Sequence, residues 1–374
     1  MQTIRILHIL HSMNRGGAEN AIMNYYRHFD REKIQFDFLL TEPKKCLFED
    51  EIEALGGRVF RVPPLSISNP FPYIRGVKNF FKEHPEYKIV HSHTSSKSVI
   101  PLGIARICGI PVRCSHSHNS KSEDGFRGFI RNLLIPFLKL TATDYLACGN
   151  KAAIWLYGNR AFEEGKVIVF KNVIEADRFR YNIDIREKYR KVLKIDKDVV
   201  LLGHTARFCE EKNHLFDIDI LKSLKNEGIN AKLLLLGNGE LKDSIKEKAE
   251  RYGLADDVFF AGVVPNVFDY EQAMDVFLLP SFREGLPLSI IEAQISGLPC
   301  FASAGNVSDE SSVTDLVTYI SLDDGPDVWA KGIRDAISKP RKDRYEDIVK
   351  AGYDASESAI VLQKFYLSKI EKFV

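Results

Sequence analysis

Glu284 and Glu292 are separated by seven residues in the stretch Pro280–Pro299, PSFREGLPLSIIEAQISGLP, and this spacing is the most informative chemical signal in the chain. The apolar run Asp275–Leu279 before it has the length and the β-branched and aromatic content of a buried strand. A helix is expected to follow, because Pro287 suits the first helical position and Gly297-Leu298-Pro299 supplies a terminating glycine and a breaker. Glu284 then stands on the turn, and Glu292 lies about a turn and a half into the helix. The first N–H groups of a helix lack intrahelical partners and sit at the positive end of its dipole, so such a junction can hold an anion. Gly285 allows backbone to approach a ligand closely. Carboxylates on either side of a phosphate can accept hydrogen bonds from hydroxyls, and the ligand this describes is a sugar nucleotide. An acidic turn between strand and helix also occurs as ordinary structure, with Glu292 a solvated helix position, so other residues have to decide.

Arg207 and Lys212 follow the strand-like run Leu201–Thr205, where open α/β sheets bind ligands, and two cations there could neutralise a diphosphate leaving group. The alternative is solvated charge on a loop. Gly16 and Gly17, after the first strand-like run, allow close approach of backbone to a phosphate or sugar, or else form a tight turn that needs φ > 0. Gly237-Asn238-Gly239 lacks the third glycine of a dinucleotide fingerprint, which argues against an NAD enzyme. Histidines occur as His91-Ser92-His93 and His116-Ser117-His118, each pair at i and i+2 and so on one face of a strand. No nearby carboxylate or cysteine spacing completes a zinc site, so no metal is expected and one imidazole lining the cleft is the reading preferred.

Residues 125–140, GFRGFIRNLLIPFLKL, set Phe126, Phe129, Ile130, Leu133, Leu134, Phe137 and Leu138 against Arg127, Arg131 and Lys139. They are too short to span a bilayer. A basic amphipathic helix on an anionic membrane surface and an ordinary helix packed on the sheet fit equally.

The elements that would position these residues alternate strand and helix twice, which argues for two parallel-sheet units of ordinary domain size within 374 residues. The expected boundaries are 1–175, 176–354 and a final helix in 355–374, with a linker around Lys171–Asp184. The formal net charge is only +1, so no nucleic-acid partner is expected. Residues 1–175 nevertheless carry 24 Lys+Arg against 17 Asp+Glu, and 176–374 carry 28 against 34, so the first half could face something anionic. The six cysteines show no paired metal spacing, and no signal peptide or membrane span is visible, so reduced core thiols and a cytoplasmic location are expected.

With Gly16-Gly17-Ala18-Glu19, Arg207…Lys212, Leu236-Gly237-Asn238-Gly239, Pro280-Ser281…Glu284-Gly285-Leu286-Pro287 and Glu292-Ala293 in this order, the chain resembles glycosyltransferase family 4, in its bacterial exopolysaccharide and capsule branch. The resemblance implies an α/β GT-B fold: two Rossmann-like domains with a cleft between them, the acceptor domain first, the donor domain second, and a C-terminal helix crossing back to the first. It implies a retaining transferase that moves a sugar from a nucleotide sugar, expected to be a UDP-sugar, to a saccharide or polyprenyl-linked acceptor. By the same resemblance Glu284 would bind donor-sugar hydroxyls, Glu292 the ribose, and Arg207 with Lys212 the diphosphate. Gly16, Gly17, Gly237, Asn238, Gly239, Gly285, Leu286 and Leu288 would close around the donor. The cleft histidine would be His116 or His118, with His118 preferred. No cofactor is implied, and a peripheral place on the inner face of the cytoplasmic membrane is compatible with residues 125–140. A GT-B-like epimerase and a non-catalytic nucleotide-sugar binder are the alternatives.

Overall fold

The computed structural model describes residues 3–14, 16–66, 68–118 and 132–371, which divide into two compact units, Met1–Ile174 with Ala355–Val374, and Glu175–Asp354. In the first unit the strands are β1 (Ile4–Leu10), β2 (Ile34–Leu40), β3 (Val59–Arg61), β4 (Ile89–Ser92), β5 (Val112–Ser117), β6 (Asp144–Ala147) and β7 (Val167–Val169). They form one sheet in the order β3-β2-β1-β4-β5-β6-β7. The second unit has β8 (Val200–Thr205), β9 (Ala231–Leu236), β10 (Val258–Gly262), β11 (Val276–Leu279), β12 (Cys300–Ser303) and β13 (Val317–Ile320), in the order β10-β9-β8-β11-β12-β13. Every pairing is parallel. Both sheets are doubly wound, and the order reverses between β1 and β4 and between β8 and β11. Ligands of open α/β sheets bind outside the strand C-termini at such reversals.

Helices cover both faces of a parallel sheet, so its central strands read as unbroken apolar runs. Leu233 to Leu236 and Val276 to Leu279 are all buried. The final helix, Ala355–Ile370, belongs to the first unit and buries Ala355, Ala359, Leu362 and Tyr366 in a core with Phe29, Phe36 and Val173. That stripe follows the 3.6-residue period. Ile360, which the sequence reading placed on the apolar face, is 48% exposed, and Phe373 lies outside the described residues.

The passage read as a linker contains a short 3₁₀ turn, Ala176–Phe179, and runs into the helix Ile183–Val192. Asn182 caps that helix by accepting from the N–H groups of Asp184 and Ile185, at 2.9 and 3.1 Å. Its sequence, IDIREKYRKV, hides the helix because polar groups anchor it. Arg186 Nη2 and Arg190 Nη1 reach the two oxygens of Asp275 at 2.5 and 3.0 Å, and both guanidinium groups donate to the Ala273 carbonyl. Hydrophobic periodicity cannot report such an attachment.

Candidate functional site in the second unit and a histidine array in the first

In the second unit the loops after β8 and β11, on either side of the reversal, are tied together. Lys212 Nζ pairs with Glu284 Oε1, and Ser281 Oγ donates to the same oxygen at 2.9 Å. The Phe282 N–H donates to the Glu211 carbonyl at 2.8 Å, and Asn213 Nδ2 to the Pro280 carbonyl at 3.1 Å. Asn213 holds the left-handed conformation, φ 56°, that starts the helix His214–Asn226, a conformation asparagine tolerates better than most residues. These contacts join Lys212 and Glu284 in a direct ion pair, which the sequence reading, assigning them to the diphosphate and the donor sugar separately, did not foresee, and they add Asn213 and Ser281. The signal for Asn213 was available in the Lys-Asn-His turn before an apolar helix. Arg207, by contrast, reaches only Glu240 among the described residues, at 3.0 Å, with 72% of its side chain exposed. An ion pair that open contributes little, so the guanidinium can leave it for a stronger anion.

Glu284 stands on the turn, and Pro287, with φ −72° and ψ 119°, is the residue before the helix Leu288–Ile295, not its first helical position. Proline at that cap keeps the preceding chain extended, so the helix N-terminus opens directly after Gly285 and Leu286. The helix closes on Gly297 at φ +69°, with Leu298 N–H donating to the Ala293 carbonyl at 3.1 Å. Glu292 lies in its second turn, partly exposed and without a side-chain ion pair or hydrogen bond among the described residues. Desolvation raises its carboxyl to about 7. Behind it the Glu271 carboxyl is fully buried, both oxygens lack a partner among the described residues, and burial followed by the Glu292 charge pushes its pKa well up.

The glycines sort into two kinds. A Cβ on Gly237, at φ +142°, would meet the Ala206 carbonyl oxygen at 2.0 Å, and one on Gly239 would meet that of Phe208 at 2.3 Å. Phe208 N–H also donates to the Asn238 carbonyl at 3.0 Å. These glycines let the loop after β9 pack against the loop carrying Arg207. Gly237→Ala is therefore expected to lower stability by about 3 kcal/mol or more, overpacking and backbone strain combined, read as a fall in thermal midpoint. Gly17 is different: a Cβ there has nothing within 4 Å, and neither it nor Gly16 has positive φ. The tight-turn explanation, which needs φ > 0, does not hold for this pair: a Cβ on Gly16 would meet Glu19 Oε2 at 2.3 Å, and Gly17 faces open space.

Beneath Lys212 the sequence reading missed a buried cluster. His204 Nδ1 lies 2.7 Å from Asp217 Oδ2, and the His204 ring stacks on His214 with centroids 4.2 Å apart. Burial pushes both histidines down to about 3 and Asp217 up to about 8, and the Lys212 and Glu284 charges are felt at His204.

In the first unit one sheet face carries five imidazoles side by side: His8 on β1, His91 and His93 at the end of β4, His116 and His118 at the end of β5. His8 Nδ1 is 2.9 Å from His93 Nε2, and His93 Nδ1 is 2.8 Å from His118 Nε2. His91 Nε2 is 3.1 Å from His116 Nδ1, and His91 Nδ1 is 2.5 Å from the Tyr366 hydroxyl on the final helix. Burial lowers the pKa of all five, so each is neutral. His116 is 5% exposed and His118 is the more open of the two.

Residues 125–131, including Phe126, Arg127, Phe129, Ile130 and Arg131, lie outside the described residues. In the remainder Leu133, Phe137 and Leu140, at 60, 49 and 59% exposed, share one helical face, while Leu138 is buried. No helix among the described residues is long and apolar enough to cross a membrane.

Two doubly wound parallel-sheet units are the architecture of the GT-B fold. Solved structures agree on the fold: Anabaena HepE in complex with UDP aligns with a TM-score of 0.72 at 18% identity, covering 99% of this chain and 100% of that one. Sucrose-phosphate synthase from Thermosynechococcus elongatus aligns with a TM-score of 0.74 at 16% identity, over 99% and 100%. The family models Glycosyltransferase Family 4 and Glycosyl transferases group 1 match residues 15–178 and 185–355. The putative glycosyltransferase EpsF of Bacillus subtilis is 38% identical over 98% of this chain and 97% of its own length. The capsular polysaccharide biosynthesis glycosyltransferase CapH of Staphylococcus aureus is 26% identical over 98% and 99%. A UDP-Gal:alpha-D-GlcNAc-diphosphoundecaprenol alpha-1,3-galactosyltransferase of Escherichia coli is 24% identical over 80% and 79%. The chain belongs to glycosyltransferase family 4 and is a glycosyltransferase.

Proposed function

We propose that this enzyme transfers a sugar from a UDP-sugar to a saccharide or polyprenyl-linked saccharide acceptor in the building of a cell-surface polysaccharide, with retention of anomeric configuration and without a metal. The observation that carries the reading is the Lys212–Glu284 pair, held by Ser281 and Asn213 beside an open helix N-terminus. The named relatives work on capsule polysaccharide and on a diphosphoundecaprenol-linked sugar, and HepE binds UDP.

The chemistry asked of these residues is modest. Charge grows on the departing diphosphate as the glycosidic bond breaks. Groups aimed at that charge before the reaction begins lower the barrier most. Arg207, Lys212 and the helix N-terminus at Leu288 supply positive potential on this side, so the leaving group is balanced without a divalent ion. Glu284 already accepts from Lys212 and Ser281. Its role is to accept from donor-sugar hydroxyls while keeping the ammonium in register, and covalent attack is not asked of it. Glu292, partly open and unpaired, accepts from ribose hydroxyls. Gly17 leaves room for ligand. His118, the more exposed imidazole at the end of β5, is the histidine assigned to the transfer step.

The deciding experiment is a calorimetric titration of the purified enzyme in EDTA with UDP, GDP, ADP and their common sugars. Tight, metal-independent binding of UDP and one UDP-sugar is expected. Binding of another nucleotide instead would replace the donor assignment, and silence from all of them would remove the second-unit site.

A peripheral place at the membrane belongs to the same proposal. Lys139→Glu together with Leu133→Ser and Phe137→Ser is expected to reduce flotation with anionic vesicles at least several-fold. Failure of the unaltered enzyme to float with them would end that part of the reading.

A further inference from the structure

We propose that His93, His116 and His118 form a binding site for one zinc-class transition-metal ion, distinct from the Lys212–Glu284 site of the second unit and not needed for transfer. Their ligand nitrogens lie within 4.8 Å of one another. Two of the residues sit at i and i+2 on β5 and the third extends the neighbouring β4. With β4 and β5 in register at Ser92 and Ser115, His93 falls opposite His116. Side chains at i and i+2 share a face, so a strand pair arranged this way converges three imidazoles on one point.

The dimensions suit a small ion. Tetrahedral zinc with Zn–N bonds of about 2.0–2.1 Å needs ligand nitrogens about 3.3 Å apart. His93 Nδ1 and His118 Nε2 stand 2.8 Å apart, so admitting an ion asks for an opening of about half an ångström, within the reach of small χ changes. Ring centroids 5.1 Å apart for His93–His118 and 5.3 Å for His93–His116 match two edges of such a site, and the 4.1 Å His116–His118 stack must open. A cavity of about 20 Å³ lies among the five imidazoles, with Asn172 on its wall, which is room for about one water or one ion. His116 Nε2 makes no hydrogen bond of ordinary geometry among the described residues, although the Phe170 backbone lies near His116, and Asn172 stands beside His118.

The donor set names the ligand class. Three neutral nitrogens without a carboxylate favour zinc, cobalt, nickel or copper over magnesium and calcium, which take oxygen. Two other groupings are weaker. His8, His91 and His93 share His93 with the first set, so both cannot fill at once, and His91 is held by Tyr366. His204, His214 and Asp217 place two rings nearly parallel, 12° apart, and the Lys212 charge opposes a cation there. Resting on the assignment of His118 to the transfer step, an ion that takes its lone pair would also inhibit transfer.

The probe is Co²⁺ added to the full-length, EDTA-stripped enzyme, followed by visible absorption. One equivalent giving the intense bands of four-coordinate, nitrogen-bound cobalt, bleached by added Zn²⁺, is the expected result. His93→Gln and His116→Gln, each verified folded by circular dichroism, should weaken uptake at least about 100-fold, more than loss of an outer-shell partner costs. His214→Phe should leave it unchanged. No cobalt spectrum at millimolar Co²⁺ would overturn the proposal, as would undiminished uptake in both glutamine variants. Zn²⁺ inhibition reversed by EDTA would support both the site and the role of His118. Cobalt uptake without inhibition would keep the site and remove His118 from the transfer step.

Discussion

Lys212→Ala is expected to lower kcat by about 10²–10³ while weakening UDP binding much less, the size of effect seen when one preorganised donor to a developing oxyanion is lost. The ammonium is 25% exposed and Glu284 is 10% exposed, so the pair sits where a charge interaction is only partly screened. In the ground state the diphosphate is already an anion, and Arg207 and the helix N-terminus share its charge. In the transition state the leaving oxygen gains negative charge, and a group aimed at it acts selectively there. The substitution has a second consequence. Among the described residues Glu284 is left with Ser281 alone to hold Oε1, so a largely buried carboxylate loses its cation, and sugar positioning suffers together with charge stabilisation. Steady-state kinetics beside UDP calorimetry separates these effects. Equal losses in kcat and in UDP affinity would count against a transition-state role.

Glu292→Ala should weaken UDP itself by about 10- to 100-fold, because a hydrogen bond to a charged group contributes about 1.5–3 kcal/mol. The pH dependence tests the same assignment more sharply. Burial raises the Glu292 carboxyl to about 7, so near neutrality a substantial fraction carries a proton. The ionised carboxylate accepts from two ribose hydroxyls with both oxygens charged, whereas protonation turns one oxygen into a donor and weakens the other as an acceptor. UDP affinity should therefore rise as pH increases through about 7 and level off above it, falling towards about tenfold per unit below, with a proton released on binding in the acidic range. UDP titrates its own terminal phosphate in a neighbouring range, so the diagnostic quantity is the difference between the unaltered enzyme and Glu292→Gln. A difference that does not change with pH would sink the ribose assignment. Glu271 behind it has no partner among the described residues, and its own carboxyl is pushed well up by burial first and by the Glu292 charge second, whereas the Glu292 shift comes from burial.

Several features of this protein were legible before any coordinate. Two rounds of strand–helix alternation established two parallel-sheet units, because strands buried on both faces must be apolar throughout and their connections must be helical. The Pro280–Pro299 stretch marked the junction of β11 with its helix, since a strand, an acidic turn, a proline and a terminating glycine are all local signals. The tertiary structure decided what local signals cannot carry. It closed the Lys212–Glu284 pair across 72 residues of sequence, moved Pro287 to the cap, and gave Gly237 and Gly239 a packing reason that Gly17 does not share. It revealed the helix Ile183–Val192, which hydrophobic periodicity missed because arginine–aspartate and arginine–carbonyl contacts anchor it. It also gathered His8, His91, His93, His116 and His118 into one array, with Tyr366 brought beneath it by the final helix. A strand shows in sequence which residues share a face. Which strands lie side by side is set by how helices pack across the sheet, and that depends on the whole chain at once.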